Sequence, residues 1–248
     1  MLPKEKMIYG FHAVVEAINS EKEIEKIFLS KNLSGNNLRE IIKLTREKNL
    51  PYQFVPIERL NKITTKNHQG VIAYLSSIEY QSIEQIVPMI FEKGENPFFI
   101  ILDHITDVRN FGAIVRTAEC AGVHAIIIPD KGSAQINADA FKSSAGALHN
   151  IPICRVSNLV QSIKYLLNCG IKIFSTTEKA SKLYYQEDYS IPLAIILGSE
   201  DKGISDDIKK LSNELIKIPM FGKISSLNVS VAADIILYEV VKQRSNKL

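Results

Sequence analysis

Leu193-Ala194-Ile195-Ile196-Leu197-Gly198-Ser199-Glu200-Asp201-Lys202-Gly203 joins an unbroken apolar run to a loop in which two glycines flank a carboxylate. Five apolar residues without polar alternation suit a strand buried on both faces, and such strands belong to parallel sheets. Similar, nearly continuous runs recur at Phe98–Leu102, Ala125–Ile128, Ile171–Phe174 and Leu215–Ile218. Between and after them, Ala113–Ala121, Leu159–Asn168, Asp206–Leu211 and Ser230–Gln243 read as helices, so strand and helix alternate from residue 97 onward. This pattern predicts an α/β domain over 97–248. In such sheets ligands gather outside the carboxyl ends of the strands, here the loops after Leu102, Leu197 and Ile218.

Upstream the pattern differs. His12–Ile18 and Leu38–Lys48 read as helices and Lys26–Leu29, Tyr52–Val55 and Val71–Leu75 as strands, a small α/β unit over residues 1–78. Residues 79–96 hold Pro88 and Gly94 around a weakly amphipathic helix, directly after Ser76-Ser77, and are expected to form a linker. Residues 1–80 carry 12 Lys and Arg against 9 Asp and Glu, and residues 81–248 carry 18 against 18, so the net charge of +3 lies wholly in the first third. That excess alone is too mild to announce nucleic acid.

Composition excludes several classes. With 46% hydrophobic and 23% charged residues in 248, the chain is neither disordered nor fibrous. Cys120, Cys154 and Cys169 are odd in number and form no close C-x-x-C pair, which argues against disulfides and a thiolate zinc site and for a reducing cytoplasm. No apolar stretch approaches the roughly 20 residues that span a bilayer, and Met1–Tyr9 lacks the apolar core of an export signal. Five scattered histidines show no metal-ligand spacing, so no metal is expected. Neither G-x-G-x-x-G nor a P-loop occurs, which disfavours nicotinamide and nucleoside triphosphates.

Each of the three loops has an ordinary reading. Asn110 and Gly112 stand where a helix begins, as an Asn cap would, while Arg116 lies six residues further on, nearly two turns along. Gly198 and Gly203 suit a strand-to-helix turn, but glycine also lets a ligand approach the backbone. Ser226, Asn228 and Ser230 gather small polar side chains at a helix N-terminus, where free N–H groups favour oxygen-rich or anionic ligands. Capping accounts for one of these three and not for the run.

In order, N-x-G-A-I-x-R-T-A from Asn110, L-G-S-E-x-x-G from Leu197 and I-P-M-x-G-x-x-S-S-L-N-V-S-V-A from Ile218 resemble the three signature motifs of the SpoU (TrmH) family of RNA ribose 2′-O-methyltransferases. Phe141–Ala147 is similar to the family's segment between the first two motifs, and Ile8–Val14 with His68–Val71 resembles the ribosomal-protein-like RNA-binding domain of its RlmB branch, which methylates a guanosine of 23S ribosomal RNA. Val108 departs from the motif, which often has Pro there. The resemblance implies a SPOUT domain with a deep C-terminal trefoil knot, S-adenosylmethionine as cofactor, a homodimer and ribosomal RNA as partner. It places the cofactor against the backbone around Gly198, Ile218 and Leu227, with Ile218 and Leu227 sandwiching adenine. Catalytic and RNA-contacting roles fall on Asn110, Arg116, Glu200, Ser226 and Asn228. The dimer would use the stripe Val231, Ile235, Ile236 and Val240, which equally fits a core-facing helix.

The implied reaction is attack of a ribose 2′-hydroxyl on a methyl group, with Arg116 activating the hydroxyl as an electrostatic group rather than a literal base, since a guanidinium stays protonated. Competing readings are a transfer RNA 2′-O-methyltransferase, disfavoured by the N-terminal unit and the lack of a long C-terminal extension, and a non-catalytic RNA-binding assembly factor, disfavoured by the intact five residues.

Overall fold

A computed structural model describes residues 7–20, 22–48 and 50–245. Residues 1–6, part of the stretch read against an export signal, lie outside it. Chain contacts divide the molecule into two compact units, Met1–Glu79 with Ile136–Ala138, and Tyr80–Gln135 with Asp139–Leu248.

The first unit runs β1 (Met7–Tyr9), α1 (Phe11–Asn19), β2 (Ile24–Ser30), α2 (Gly35–Glu47), β3 (Tyr52–Val55), α3 (Ile57–Ile63) and β4 (Val71–Leu75). Its sheet has the order β1-β4-β2-β3, with β4 antiparallel to both neighbours and β2 parallel to β3. Strand alternation sets the two faces: Ile27 and Leu29 pack with Phe11, Val14 and Ile41 under α1 and α2, whereas Phe28 packs with Leu60 and Ile72 under α3. The His68–Val71 segment is a turn that ties this unit together. Gln69 (φ 50°) accepts a hydrogen bond from the Phe11 N–H at 3.1 Å, and buried His68 accepts one from Gly70 and meets Asn61 at 2.8 Å.

The second unit runs α4 (Ile83–Glu92), β5 (Phe98–Asp103), α5 (Val108–Cys120), β6 (Ala125–Pro129), α6 (Ala138–Ser143), β7 (Ile153–Val156), α7 (Leu159–Asn168), β8 (Lys172–Thr176), β9 (Lys182–Leu183), β10 (Leu193–Gly198), α8 (Asp206–Leu211), β11 (Glu214–Lys217) and α9 (Val229–Ser245). Its seven strands have the order β7-β6-β5-β10-β8-β11-β9, and every pairing is parallel, as the continuous apolar runs predict. From β5 the chain steps outward through β6 and β7, then returns to the other side through β8 and β10. The order therefore reverses between β5 and β10, where Asp103 lies opposite Gly198. A crevice opens at such a switch point.

Residues 79–96, expected to form a linker around a weakly amphipathic helix, do hold a helix, α4, but its Ile83, Ile86, Val87 and Ile90 sit in the same core cluster as Phe99, Ile101 and Ile196, so the segment belongs to the second unit rather than to a linker. Pro88 lies inside this helix and so marks no connector, while the division between the two units falls just before the helix, between Glu79 and Tyr80. The alternating residue Phe98 faces the other side of the sheet, where α9 lies against α5 and β10. Of the stripe Val231, Ile235, Ile236, Val240, the last two are fully buried while Val231 is 43% exposed, so that stripe is divided between core and surface.

Arg244 pins the far end of α9. Its guanidinium donates to four carbonyls, of Tyr189, Asn96, Pro97 and Ile191, at 2.9–3.2 Å, and lies 5.1 Å from the centre of the Phe98 ring. Lysine cannot present this planar fork. We expect Arg244→Ala to cost about 2–4 kcal/mol, because several buried acceptors lose a charged donor, and Arg244→Lys to recover less than half of that loss, both read from urea unfolding.

Candidate active site

At the start of α5 the cap is Asp107, whose carboxylate accepts from the N–H groups of Arg109 (2.9 Å) and Asn110 (2.8 Å). Asn110 is thus not the cap that its position suggested. Because Asp107 already satisfies the helix end, the Asn110 side chain is released for another partner. Val108 occupies the first helical position, where proline is tolerated because its missing N–H has no helical partner, so the departure leaves the helix start intact. Gly112 is required by packing: a Cβ there would lie 1.9 Å from Ser143 Oγ on α6.

Gly198 ends β10 and opens a tight turn, in which Gly203 (φ 64°) donates its N–H to the Ser199 carbonyl at 2.8 Å. A Cβ on Gly198 would lie 2.3 Å from the Gly203 carbonyl carbon and 2.4 Å from the Ile204 nitrogen. The loop folding back on itself is by itself enough to demand glycine here, at a position that also lines the cavity described below. Asp103, 3% exposed, holds both ends of this loop. Its carbonyl accepts from the Ser199 N–H at 3.2 Å, and its carboxylate accepts from the N–H and hydroxyl of Ser205, each at 2.7 Å. Neither Asp103 nor Ser205 stood out in the sequence, although a carboxylate ending an apolar strand is a signal that could have found the first.

The third loop delivers Asn228 to the other two. Its Oδ1 accepts from the Ser230 N–H and hydroxyl (3.0 and 2.6 Å), which leaves Nδ2 to donate to Glu200 Oε1 at 2.8 Å and to Asn110 Oδ1 at 3.0 Å. Glu200 Oε1 also accepts from the Val229 N–H at 3.1 Å, placing a carboxylate on the N-terminus of α9. One residue from each loop thus meets in a single network.

Beside that network lies a cavity of about 410 Å³ lined by Gly198, Ile218 and Leu227 together with Glu200, Ser226 and residues 176–179. Asn110, Arg116 and Asn228 do not line it. Arg116 is exposed on α5 and forms no hydrogen bond or ion pair with the described residues. Among the described residues no group of three or more His, Cys, Asp and Glu side chains stands close enough to hold a metal ion.

In the first unit, Lys26 and Arg59 both lie over the Phe28 ring, at 5.1 and 4.9 Å, and Lys66 lies over Tyr9. Burial, and then the neighbouring Arg59 charge, depress the Lys26 ammonium below its ordinary pKa. Two like charges held against one ring gain from an anion brought between them.

Comparison with known proteins identifies this architecture. Residues 97–238 match the family model of the SpoU rRNA methylases, and residues 7–81 match that of the RNA 2′-O ribose methyltransferase substrate-binding domain. The chain belongs to the SpoU methylase family. Among curated SpoU relatives, the putative TrmH family tRNA/rRNA methyltransferase YacO of Bacillus subtilis is 35% identical over 238 residues, 96% of each chain. The 23S rRNA (guanosine-2′-O-)-methyltransferase RlmB of Yersinia pestis is 36% identical over 245 residues, 98% of this chain and 99% of its own. The fold is shared with the SpoU methyltransferase AviRb of Streptomyces viridochromogenes, solved in complex with AdoMet, at a TM-score of 0.62 and 23% identity over 98% of this chain and 91% of that one. A TrmH/SpoU tRNA modifying enzyme of A. aeolicus gives a TM-score of 0.57 and 32% identity over 66% of this chain and 85% of its own.

Gly198→Ala tests the packing of the second loop. Its backbone clash is expected to cost about 1–3 kcal/mol, a lowered thermal midpoint that Asp201→Ala, at an exposed position of the same loop, does not reproduce.

Proposed function

We propose that this SpoU family member transfers a methyl group from S-adenosylmethionine to the ribose 2′-hydroxyl of a guanosine in 23S ribosomal RNA, as a homodimer of the RlmB branch. The observation that carries this reading is the meeting of Asn110, Glu200 and Asn228 beside the cavity lined by Gly198, Ile218 and Leu227. The cavity volume, about 410 Å³, falls within the ~300–1,000 Å³ of small-molecule sites. Ile218 and Leu227 offer apolar surface for an adenine ring, and the turn at Gly198 brings backbone groups to the cavity wall. When bound, S-adenosylmethionine supplies a methyl group on a positively charged sulfur. The family's trefoil knot, formed by the C-terminal region, belongs to this reading.

The remaining chemistry falls to the chain. Glu200 and Asn110 are locked by Asn228 and so arrive fixed in position, which saves the cost of ordering them during the reaction. Ser226 brings a hydroxyl to the cavity wall. Arg116, unpaired within its own described chain, is free to bind the 2′-oxygen or a neighbouring phosphate and to stabilise negative charge as the hydroxyl loses its proton. A homodimer gives it a neighbouring cavity to reach. In support, Val231 (43% exposed) and Tyr238 (52% exposed) share one face of α9 with Asp234, whose Oδ1 is buried without a hydrogen-bond partner. The Lys26, Arg59 and Lys66 cluster suits phosphate, so the N-terminal unit is assigned to RNA, in a cytoplasm that keeps the three cysteines reduced.

Ribosomal RNA is favoured by the match of the RlmB relative along nearly its whole length, N-terminal unit included. Transfer RNA is the second reading, because the Bacillus subtilis relative carries both substrates in its name. Mass spectrometry of ribose-methylated nucleosides from cells with and without the gene separates them: loss of one 2′-O-methylguanosine from large-subunit RNA is expected, loss from transfer RNA alone would favour the second, and no change in either would overturn both. Arg116→Lys is expected to lower the rate at saturating RNA by about 10²-fold, with S-adenosylmethionine affinity unchanged. A near-normal rate would remove Arg116 from the reaction.

A further inference from the structure

Phe221 is the most exposed large apolar side chain among the described residues, at 95%, and Ile224, three residues on, is 75% exposed. Both stand on the loop of residues 219–225, with Gly222 and the exposed Lys223 between them. Met220 and Ser225 of this loop, and Ser226 directly after it, line the cavity, whereas Phe221 and Ile224 do not. The loop therefore supplies cavity wall and, next to it in the chain but outside the lining, a bare aromatic ring and an exposed cation. No packing within the described chain accounts for a phenyl ring left almost entirely in water.

We propose that Phe221 is a stacking platform for a nucleobase of the RNA substrate close to the methylated ribose, with Lys223 taking a neighbouring phosphate. The inference rests on the methyltransferase reading for its substrate class and on the loop's geometry for its site. A ribose that presents its 2′-hydroxyl to a walled cavity belongs to a nucleotide drawn out of regular helical stacking, so nearby base faces lose their partners. An exposed aromatic side chain replaces such a partner whatever the base, and an adjacent ammonium complements the backbone charge. Lys202, exposed and also on the cavity wall, extends the positive rim. A second copy of this chain could also cover the ring, but the loop presents separated apolar side chains around a glycine and a lysine rather than a continuous apolar face.

Two readouts on the full-length protein test this. The first is the fluorescence of a single-stranded RNA 12-mer carrying 2-aminopurine, titrated with wild type, Phe221→Ala, Phe221→Leu and Phe221→Trp. Stacking quenches the probe, so wild type and Phe221→Trp are expected to quench it, while Phe221→Ala and Phe221→Leu leave it bright and bind about tenfold more weakly. The second is methyl transfer to transcribed 23S ribosomal RNA, where Phe221→Ala is expected to raise KM about tenfold with S-adenosylmethionine affinity and sedimentation mass unchanged. Equal quenching by wild type and Phe221→Ala overturns the proposal. A fall in mass for Phe221→Ala, with RNA binding intact, assigns the ring to a contact between copies and overturns it equally. Failure of wild type to methylate either RNA class, with Phe221-dependent quenching retained, would sink the methyltransferase reading and leave the stacking site standing.

Discussion

The parallel pairing of β5 with β10 is the constraint on which the candidate site depends. It sets Asp103 opposite Gly198 at the carboxyl edge of the sheet, and the helix and the turn that follow these two strands leave from neighbouring points. Both strands are buried along their length, and each fully covered Ile or Leu stabilises that register by about 1.5–3 kcal/mol. A slip of one residue would turn every such side chain to the opposite face and carry Glu200 away from Asn110. The Asp103 carboxylate then fixes the loop between the strand ends by accepting from Ser205, so the polar site is anchored by the same strand that forms the apolar core.

On this platform the polar network is economical. Asn228 meets the chain at both ends of its amide, with its oxygen serving the first turn of α9 and its nitrogen serving a carboxylate and a second amide. Glu200 is held by the same helix start, where backbone N–H groups and the dipole favour a negative charge. The groups nearest the cavity are thus ordered by hydrogen bonds within the fold, while Arg116 and Phe221 are exposed, Arg116 with no hydrogen bond or ion pair among the described residues. That division suits a small ligand enclosed by the chain and a large one that arrives from solution.

Much of this was legible in the sequence, for physical reasons that differ by element. The runs at Phe98–Leu102 and Leu193–Leu197 announced parallel strands, because only a strand covered on both faces tolerates unbroken apolar sequence. The segment 79–96 misled, since Pro88 and Gly94 are punctuation in a sequence, while burial of Ile83 and Ile90 is decided by tertiary packing. Short elements such as β1 and α3 carry too few residues to show a period. In the candidate site, the structure brings the three motif loops together, with Asn110, Glu200 and Asn228 within hydrogen-bond distance. The individual reasons were not legible: Asp107 caps α5 in place of Asn110, and Gly198 is small because Gly203 and Ile204 fill the space beside it. Those facts depend on chain segments distant in sequence, which no local pattern encodes.

That the second and third loops wall a cofactor cavity, beside the polar network in which all three loops meet, is tested most directly by a crystal structure of the protein with S-adenosylhomocysteine. The adenine is expected between Ile218 and Leu227, with the turn at Gly198 alongside it. Ligand bound elsewhere on the molecule, with this cavity empty, would contradict it.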